Sequence, residues 1–275
     1  MRSVVHPGPV ANRRVDTARS EGREIEVTLA AGVPLEQAVA EATRGYTSAW
    51  LEIQDAPVAA LDYVIPAPSP DDDHVAWYSD AHSFGGPGRI DHLGMIVGRH
   101  KGASFLHGHG LWTPEGAPQA MGHILAPHTV LAAPATARGV GLTGAVFDRL
   151  PDPETNFELF QVSGGGSSGD YAAVRLRPNQ DFATALDAAC AELGWTAARV
   201  HGLGSLIGAQ FENGAVLDSL PSEFLITDAI VGVGGPAPEI VIVGIEGSRI
   251  LSGLLTRSEN AVLITAEIVL CRIES

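Results

Sequence analysis

The segment Pro178-Asn-Gln-Asp-Phe-Ala-Thr-Ala-Leu-Asp-Ala-Ala-Cys-Ala-Glu-Leu-Gly194 decides the fold class. Phe182, Leu186, Ala189, Cys190 and Leu193 recur at helical spacing, Asp181 stands where an N-cap belongs, and Gly194 supplies a stop. A short strand, Val174 to Leu176, precedes this helix. After it come only strand-like runs broken by glycine, at 198–200, 205–211, 223–231, 239–245, 251–255 and 261–270. One strand, one helix and then many strands joined by short turns is the order of an α+β unit with a mainly antiparallel sheet.

The same order occurs upstream. Glu24 to Leu29 reads as a strand, Gly32-Val-Pro34 turns into a helix through Leu35, Ala38, Val39 and Ala42, and Gly45 closes it. Strand-like segments follow at 48–53, 60–64, 76–78, 92–97, 104–111 and 123–125. Even the turns correspond, since Pro114-Glu-Gly116 before Met121-Gly-His-Ile-Leu125 parallels Ile245-Glu-Gly247 before Ser252-Gly-Leu-Leu255. The chain therefore reads as two repeated domains, each a mainly antiparallel sheet with one packed helix. Between them Ser163-Gly-Gly-Gly-Ser-Ser-Gly169 cannot pack a core and reads as a flexible linker. The expected organisation is an N-terminal arm over 1–20, a histidine-bearing domain over 21–162, the linker over 163–169 and a second domain without those histidines over 170–275. The acidic run Ser69-Pro-Asp-Asp-Asp73 reads as a solvated turn.

With 275 residues, 45% hydrophobic and 18% charged, the chain is long enough for two cores and has a globular composition. Seventeen basic against 32 acidic side chains leave a net charge of −15, which repels a phosphate backbone, so no nucleic-acid partner is expected. Arg2, Arg13, Arg14 and Arg19 make the first 20 residues locally basic, and we read them as an arm lying on acidic neighbours. Two cysteines, Cys190 and Cys271, are too few for a disulfide framework. No apolar run reaches about 18 residues and the first residues lack a signal-peptide pattern, so no membrane partner and a cytoplasmic location are expected.

Eight of the ten histidines fall between His74 and His128. The sharpest element is Leu106-His-Gly-His-Gly110 followed by Met121-Gly-His-Ile-Leu125. Alternate side chains of a strand share a face, which puts His107 and His109 on one side about 7 Å apart. A hairpin through Thr113-Pro-Glu-Gly116 then returns His123 beside them. Three imidazoles with one open position is the ligand set of a catalytic divalent metal, zinc above all. The second half has Ile240-Val-Ile-Val243 and Leu254 at the matching places, so the fold itself does not require histidines there.

At these residues the sequence resembles the plant and prokaryote conserved (PPC) domain. His107-Gly-His109, Glu115-Gly116 and Gly122-His-Ile-Leu125 match its pattern in the first half. In the second half Val174-Arg-Leu-Arg-Pro178, Gly202-Leu-Gly-Ser205, Gly253-Leu-Leu255 and Thr265-Ala-Glu267 match its opening strand, glycine-serine turn and closing strand. The likeness extends from about Arg23 to Ile273. It implies one antiparallel sheet with a packed helix per copy, a metal held by the three histidines, and a homotrimer as the assembly. Two departures stand out: Thr136-Ala-Arg138 replaces Thr-Ala-Glu in the first copy, while the second copy keeps Glu223 and Glu267 but lacks the ligands. No AT-hook occurs.

A three-histidine zinc site activates water or polarises a carbonyl, and either role needs a proton carrier. His128, Asp91 and its neighbour His92 are the candidates by proximity in sequence. Arg138 and Arg99 are candidates for a two-pronged contact with a small anionic molecule, and Trp112 for an apolar wall. His201-Gly-Leu-Gly-Ser205 matches neither a phosphate loop nor a nucleophile elbow and reads as a turn between strands. The expected function is that of a metal-dependent hydrolase or lyase acting on an anionic metabolite. The alternative is a non-enzymatic metal- or ligand-binding assembly or regulatory protein.

Overall fold

A computed structural model describes residues 1–232, 234–247 and 249–273. In chain order the principal elements are β1 (Val15–Ser20), β2 (Gly22–Leu29), α1 (Leu35–Ala42), β3 (Ser48–Val64), β4 (His82–His100), β5 (Ala103–Pro114), β6 (Ala120–Ile124), β7 (Ala135–Leu142), β8 (Ala145–Pro151) and β9 (Glu158–Gly164). They are followed by β10 (Tyr171–Leu176), α2 (Phe182–Leu193), β11 (Ala198–Leu206), β12 (Ser222–Asp228), β13 (Glu239–Gly244), β14 (Ile250–Leu254) and β15 (Val262–Arg272). This is an α+β chain dominated by antiparallel pairing.

The helix signals act as their chemistry requires. The Asp181 side chain accepts a hydrogen bond from the Thr184 backbone N–H at 2.9 Å, and Gly194 closes α2 in the left-handed region at φ 70°. Helix α1 begins after Pro34, whose φ of −52° already suits a helix. Several runs read as separate strands are continuous: 48–53 and 60–64 are the two ends of β3, which stays paired to β4 through a bulge between Val58 and Ala60.

Two sheets result. In one, the strands lie in the order β9-β8-β4-β5-β6-β3-β7-β2; the long β3 also pairs β4, so that sheet curls until β6 meets the far end of β3. In the other, the order is β1-β10-β15-β11-β12-β13-β14. The run β2-β7-β3-β4-β5-β6 of the first follows the same connectivity as β10-β15-β11-β12-β13-β14 of the second. Helix α1 covers the outer face of the first sheet, over Leu51, Ile53, Met95 and Val97. Helix α2 covers the outer face of the second, over Val174, Phe224, Ile240 and Ile268.

The residues alternating with these face inward and join the sheets. Trp50, Ile96, Val140 and Phe147 of the first sheet pack with Leu203, Leu225, Val241, Val243 and Val269 of the second in one apolar cluster. Four layers follow, helix, sheet, sheet and helix, in which the central strands are buried on both faces. That double burial is why β13 reads as an unbroken apolar run rather than an alternating one.

Residues 1–20, expected as an arm, end in an edge strand: β1 pairs antiparallel with β10 from Val15↔Leu176 to Ser20↔Tyr171. The open edge of β10 imposes this extended conformation. The arginines of this segment do lie on acidic neighbours, with Arg2 on Asp218, Arg13 on Glu192 and Arg14 on Glu154. Glu21 alone separates β1 from β2, so the chain passes from one sheet to the other in a single residue. It returns through 165–170, where the Gly166 N–H donates to the Arg19 carbonyl at 2.9 Å.

A buried ion pair also ties the halves. Arg175 of β10 is fully buried and places its guanidinium 2.6 Å from Asp152, in the turn between β8 and β9, while Arg177 reaches the same oxygen at 3.1 Å. Burial alone would raise the Asp152 pKa, but Arg175, together with hydrogen bonds from Gln161 and the Thr155 N–H, outweighs it and holds the carboxyl down at about 2. A depressed folded-state pKa stabilises the fold at every pH above the unfolded value of about 4, and that stability is lost as pH falls toward 2. Urea unfolding between pH 7 and pH 2 should therefore show a loss of about 2 kcal/mol attributable to this group. Asp152→Asn should flatten that part of the profile and lower the midpoint at pH 7; an unchanged profile would refute the assignment.

Candidate metal centre

Strand β5 is held between β4 and β6, and the register sets His109 directly opposite His123. Along β5 the period of two turns Leu106 and Gly108 toward the first-sheet core; a Cβ at Gly108 would lie 3.0 Å from Met95. His107 and His109 point the other way, at the second sheet. Close approach there depends on Gly94, which pairs with His109 across the ladder: a Cβ at Gly94 would lie 2.4 Å from the Trp50 ring and 2.5 Å from Leu225.

His107, His109 and His123 converge. One nitrogen of each lies within 4.8 Å of the others, and the His107 ring centroid lies 4.7 Å from that of His109 and 4.8 Å from that of His123. His109 is buried, and the other two are partly so. What the second sheet presents to them is polar. His107 Nδ1 lies 2.5 Å from Glu267 Oε2 on β15, and His109 Nδ1 lies 2.9 Å from the Phe224 carbonyl on β12. Both partners are acceptors, so both Nδ1 atoms carry the hydrogen and in the neutral rings both Nε2 atoms present lone pairs. Those two Nε2 atoms face each other at 3.0 Å, with Glu223 Oε1 at 3.5 Å from that of His109. Lone pairs and a carboxylate at these distances repel unless positive charge joins them. Glu223 Oε2 is buried with no hydrogen-bond partner among the described residues.

A divalent cation fits this donor set. Imidazoles whose second nitrogen donates to a carboxylate or a backbone carbonyl are oriented as metal ligands are. His123 Nδ1 lies 3.3 Å from the Tyr78 hydroxyl and 4.0 Å from Glu223 Oε1. Burial would lower the His109 pKa, but Glu223 and the Phe224 carbonyl raise it overall. Burial pushes His123 well below the usual histidine range. Burial and the Glu223 and Glu267 carboxylates push the Tyr78 phenol well up, so it stays a neutral hydroxyl.

The remaining sequence candidates lie elsewhere. Asp91 accepts from Arg89, Thr113 and Gln119, and His92 faces Glu52 at 3.7 Å. His128 is 65% exposed and lies 3.2 Å from Asp62. Arg138 is exposed and bound to Glu26, and Arg99 is bound to Asp148. Trp112 is fully buried in the first-sheet core, 4.9 Å from the Tyr63 ring. The cluster instead gathers Glu223, Glu267 and Tyr78, with Arg149 on the cavity beside it. The two glutamates carried a readable signal, since each is a charge next to a buried apolar run, Phe224–Ile226 and Ile268–Leu270. Tyr78 and Arg149 carried none, because only the three-dimensional course of their loop and strand brings them here.

No family model matches the sequence, and no curated protein matches it. Among solved structures, the chain is similar to a metal-containing protein from Archaeoglobus fulgidus, at 20% identity and TM-score 0.40 over 52% of this chain and 97% of that one. It is also similar to a PPC protein from Pyrococcus horikoshii, at 15% identity and TM-score 0.39 over 56% and 97%. A third, from Bacteroides thetaiotaomicron and provisionally described as DNA-binding, shows 12% identity and TM-score 0.41 over 54% and 98%. The PPC resemblance read from the sequence thus meets neighbours that include a PPC protein, each matched nearly whole by about half of this chain.

One expectation is corrected by these neighbours. The net charge of −15 led us to exclude a nucleic-acid partner, yet similar structures include proteins provisionally described as DNA-binding, and that exclusion is withdrawn. The physical fault in it is that a charge summed over a whole chain does not fix the potential of any one face. The membrane expectation reduces to a narrower fact: among the described residues, no helix is long and apolar enough to cross a bilayer.

The hydrogen-bond directions make a specific prediction. Nitrogen-15 NMR at neutral pH should find His107 and His109 with hydrogen on Nδ1 once a divalent ion is added. Hydrogen on Nε2 of either ring would contradict the geometry described.

Proposed function

We propose that the chain is a tandem of two PPC-like copies in which the first supplies the metal ligands and the second supplies the groups that orient them. The shared strand order of the two sheets supports the repeat, and the division, expected over 163–169, falls at 165–170, since Ser163 and Gly164 are paired in β9. His107, His109 and His123 would hold one divalent ion, zinc being the best match to three neutral imidazoles. The observation that carries this reading is the pairing of His107 and His109 with Glu267 and the Phe224 carbonyl, which leaves both Nε2 atoms as lone-pair donors aimed at one point.

The activity we infer is metal-dependent hydrolysis or elimination on a small molecule. When bound, the ion supplies Lewis acidity at an open coordination position. The chain's own residues supply the rest. Glu223, whose Oε2 has no partner, is the group placed to take up and return a proton at the cluster. The Tyr78 hydroxyl fixes His123 from its Nδ1 side, and the Trp77–Phe157 stack, with ring centroids 5.6 Å apart, lines the neighbouring cavity.

Elemental analysis of protein purified without chelator should give one zinc-class ion per chain. His107→Ala with His109→Ala should abolish that stoichiometry while circular dichroism stays native. Glu267→Gln should weaken metal affinity by about 10- to 100-fold, because the carboxylate orients a ligand without touching the ion. Metal occupancy should fall as pH drops through the histidine range, since protons compete for Nε2. Metal-free protein from several preparations would remove the basis of this reading.

A further inference from the structure

Two cavities border the histidines, and they differ in kind. The smaller, about 70 Å³, lies against Trp77, Pro221 and Leu263 and has an almost wholly apolar lining apart from the cluster itself. That volume holds about five water molecules at most. The larger, about 190 Å³, opens on the other side and contains His107 and His123 in its lining. Phe105, Phe157 and Phe160 form its aromatic walls, and Arg149 of β8 contributes the one arginine among its lining residues.

Arg149 is held loosely. Its guanidinium lies over the Phe105 ring, 4.8 Å from the centroid, which fixes the plane of the fork. Its polar contacts are all to Glu158, at 3.4 Å to the side chain and 3.4 Å to the carbonyl, and both side chains are about one-third exposed. A long, half-solvated ion pair contributes little and exchanges readily for a better-placed anion. By contrast Arg138 and Arg99 have close partners at 2.8 and 3.0 Å and do not line this cavity.

Resting on the metal-site reading above, we propose that the larger cavity binds a planar carboxylate, an aromatic or conjugated monoacid, with Arg149 gripping the carboxylate and the ring lying against the phenylalanine walls. The cavity volume suits one six-membered ring bearing a carboxylate. The walls exclude a large polar substrate; Glu158 and Glu267 also line the cavity, Glu267 is engaged by His107, and an incoming carboxylate takes the place of Glu158 on Arg149. Arg149 is then a specificity-determining residue, and the reacting group of the ligand points toward His107 and His123.

Benzoate and its neutral counterpart benzamide test this by calorimetry, on the full chain with and without zinc. Benzoate should bind the wild type better than benzamide. Arg149→Met, which keeps the stem over Phe105, should weaken benzoate by about 10- to 100-fold and leave benzamide unchanged, while Arg149→Lys should restore part of the loss. Metal content measured on the same samples should be the same in all three proteins. If the protein binds zinc but benzoate fails to bind, or binds Arg149→Met equally well, the carboxylate proposal is overturned and the metal reading stands. If zinc is absent but benzoate binding depends on Arg149, the anion subsite stands and the metal reading falls. Unfolding midpoints of each variant guard against loss of fold, and a destabilised Arg149→Met is replaced by Arg149→Gln.

Discussion

The structure depends on the apolar layer between its two sheets. Each sheet has a helix on one face and would expose the other, a continuous surface that includes Trp50, Ile96 and Phe147 on one side and Leu225, Val241, Val243 and Val269 on the other. Apolar surface of that extent is not left in water when a complementary face is available in the same chain. Stacking the sheets fixes everything downstream: the burial of β4 and β11 on both faces, the close approach at Gly94, and the fact that residues from the two ends of the sequence meet.

The histidine cluster is the polar exception in that layer, and its cost explains its construction. Burying imidazole and carboxylate groups in an apolar interface is unfavourable unless each finds a partner. Three histidines from the first sheet therefore face two glutamates and a backbone carbonyl from the second, so that nearly every donor meets an acceptor. The exceptions are acceptors: Glu223 Oε2 and the Nε2 lone pairs of His107 and His109, which face each other. Because the orienting groups come from one half and the ligands from the other, neither half alone contains the arrangement.

Much of this was legible in the sequence because it is local. Asp181 as a cap, Gly194 as a stop and the alternation of His107 with His109 each rest on spacing within a few residues, and the turn at 113–116 was enough to return His123. What was not legible is whatever depends on the second sheet lying against the first. Glu223 and Glu267 could be picked out as charges in apolar strands, yet nothing local says that they face the histidines of the other half. Residues 15–20 failed for the opposite reason: VDTARS has weak strand character of its own, and its conformation is set by the unpaired edge of β10. Among the side chains named for catalysis or anion binding, sequence proximity proved a poor guide, since a five-residue step from His123 to His128 passes through a turn and ends in solvent.

The route of the chain carries one further consequence. It begins in the second sheet, with β1, leaves through Glu21, builds the whole first sheet, and comes back through 165–170 to finish where it started. The two passages lie side by side, joined by the Gly166 to Arg19 hydrogen bond. The first sheet is thus an insertion within the second as much as its predecessor, a loop closed at its base like the eye of a knot that was never pulled through. Such a chain resists being shuffled: an exchange of either half by recombination at the glycine-serine segment would carry off β10 to β15 without their outermost strand. The two sheets are bound to one another by the path of the chain as well as by the apolar layer between them.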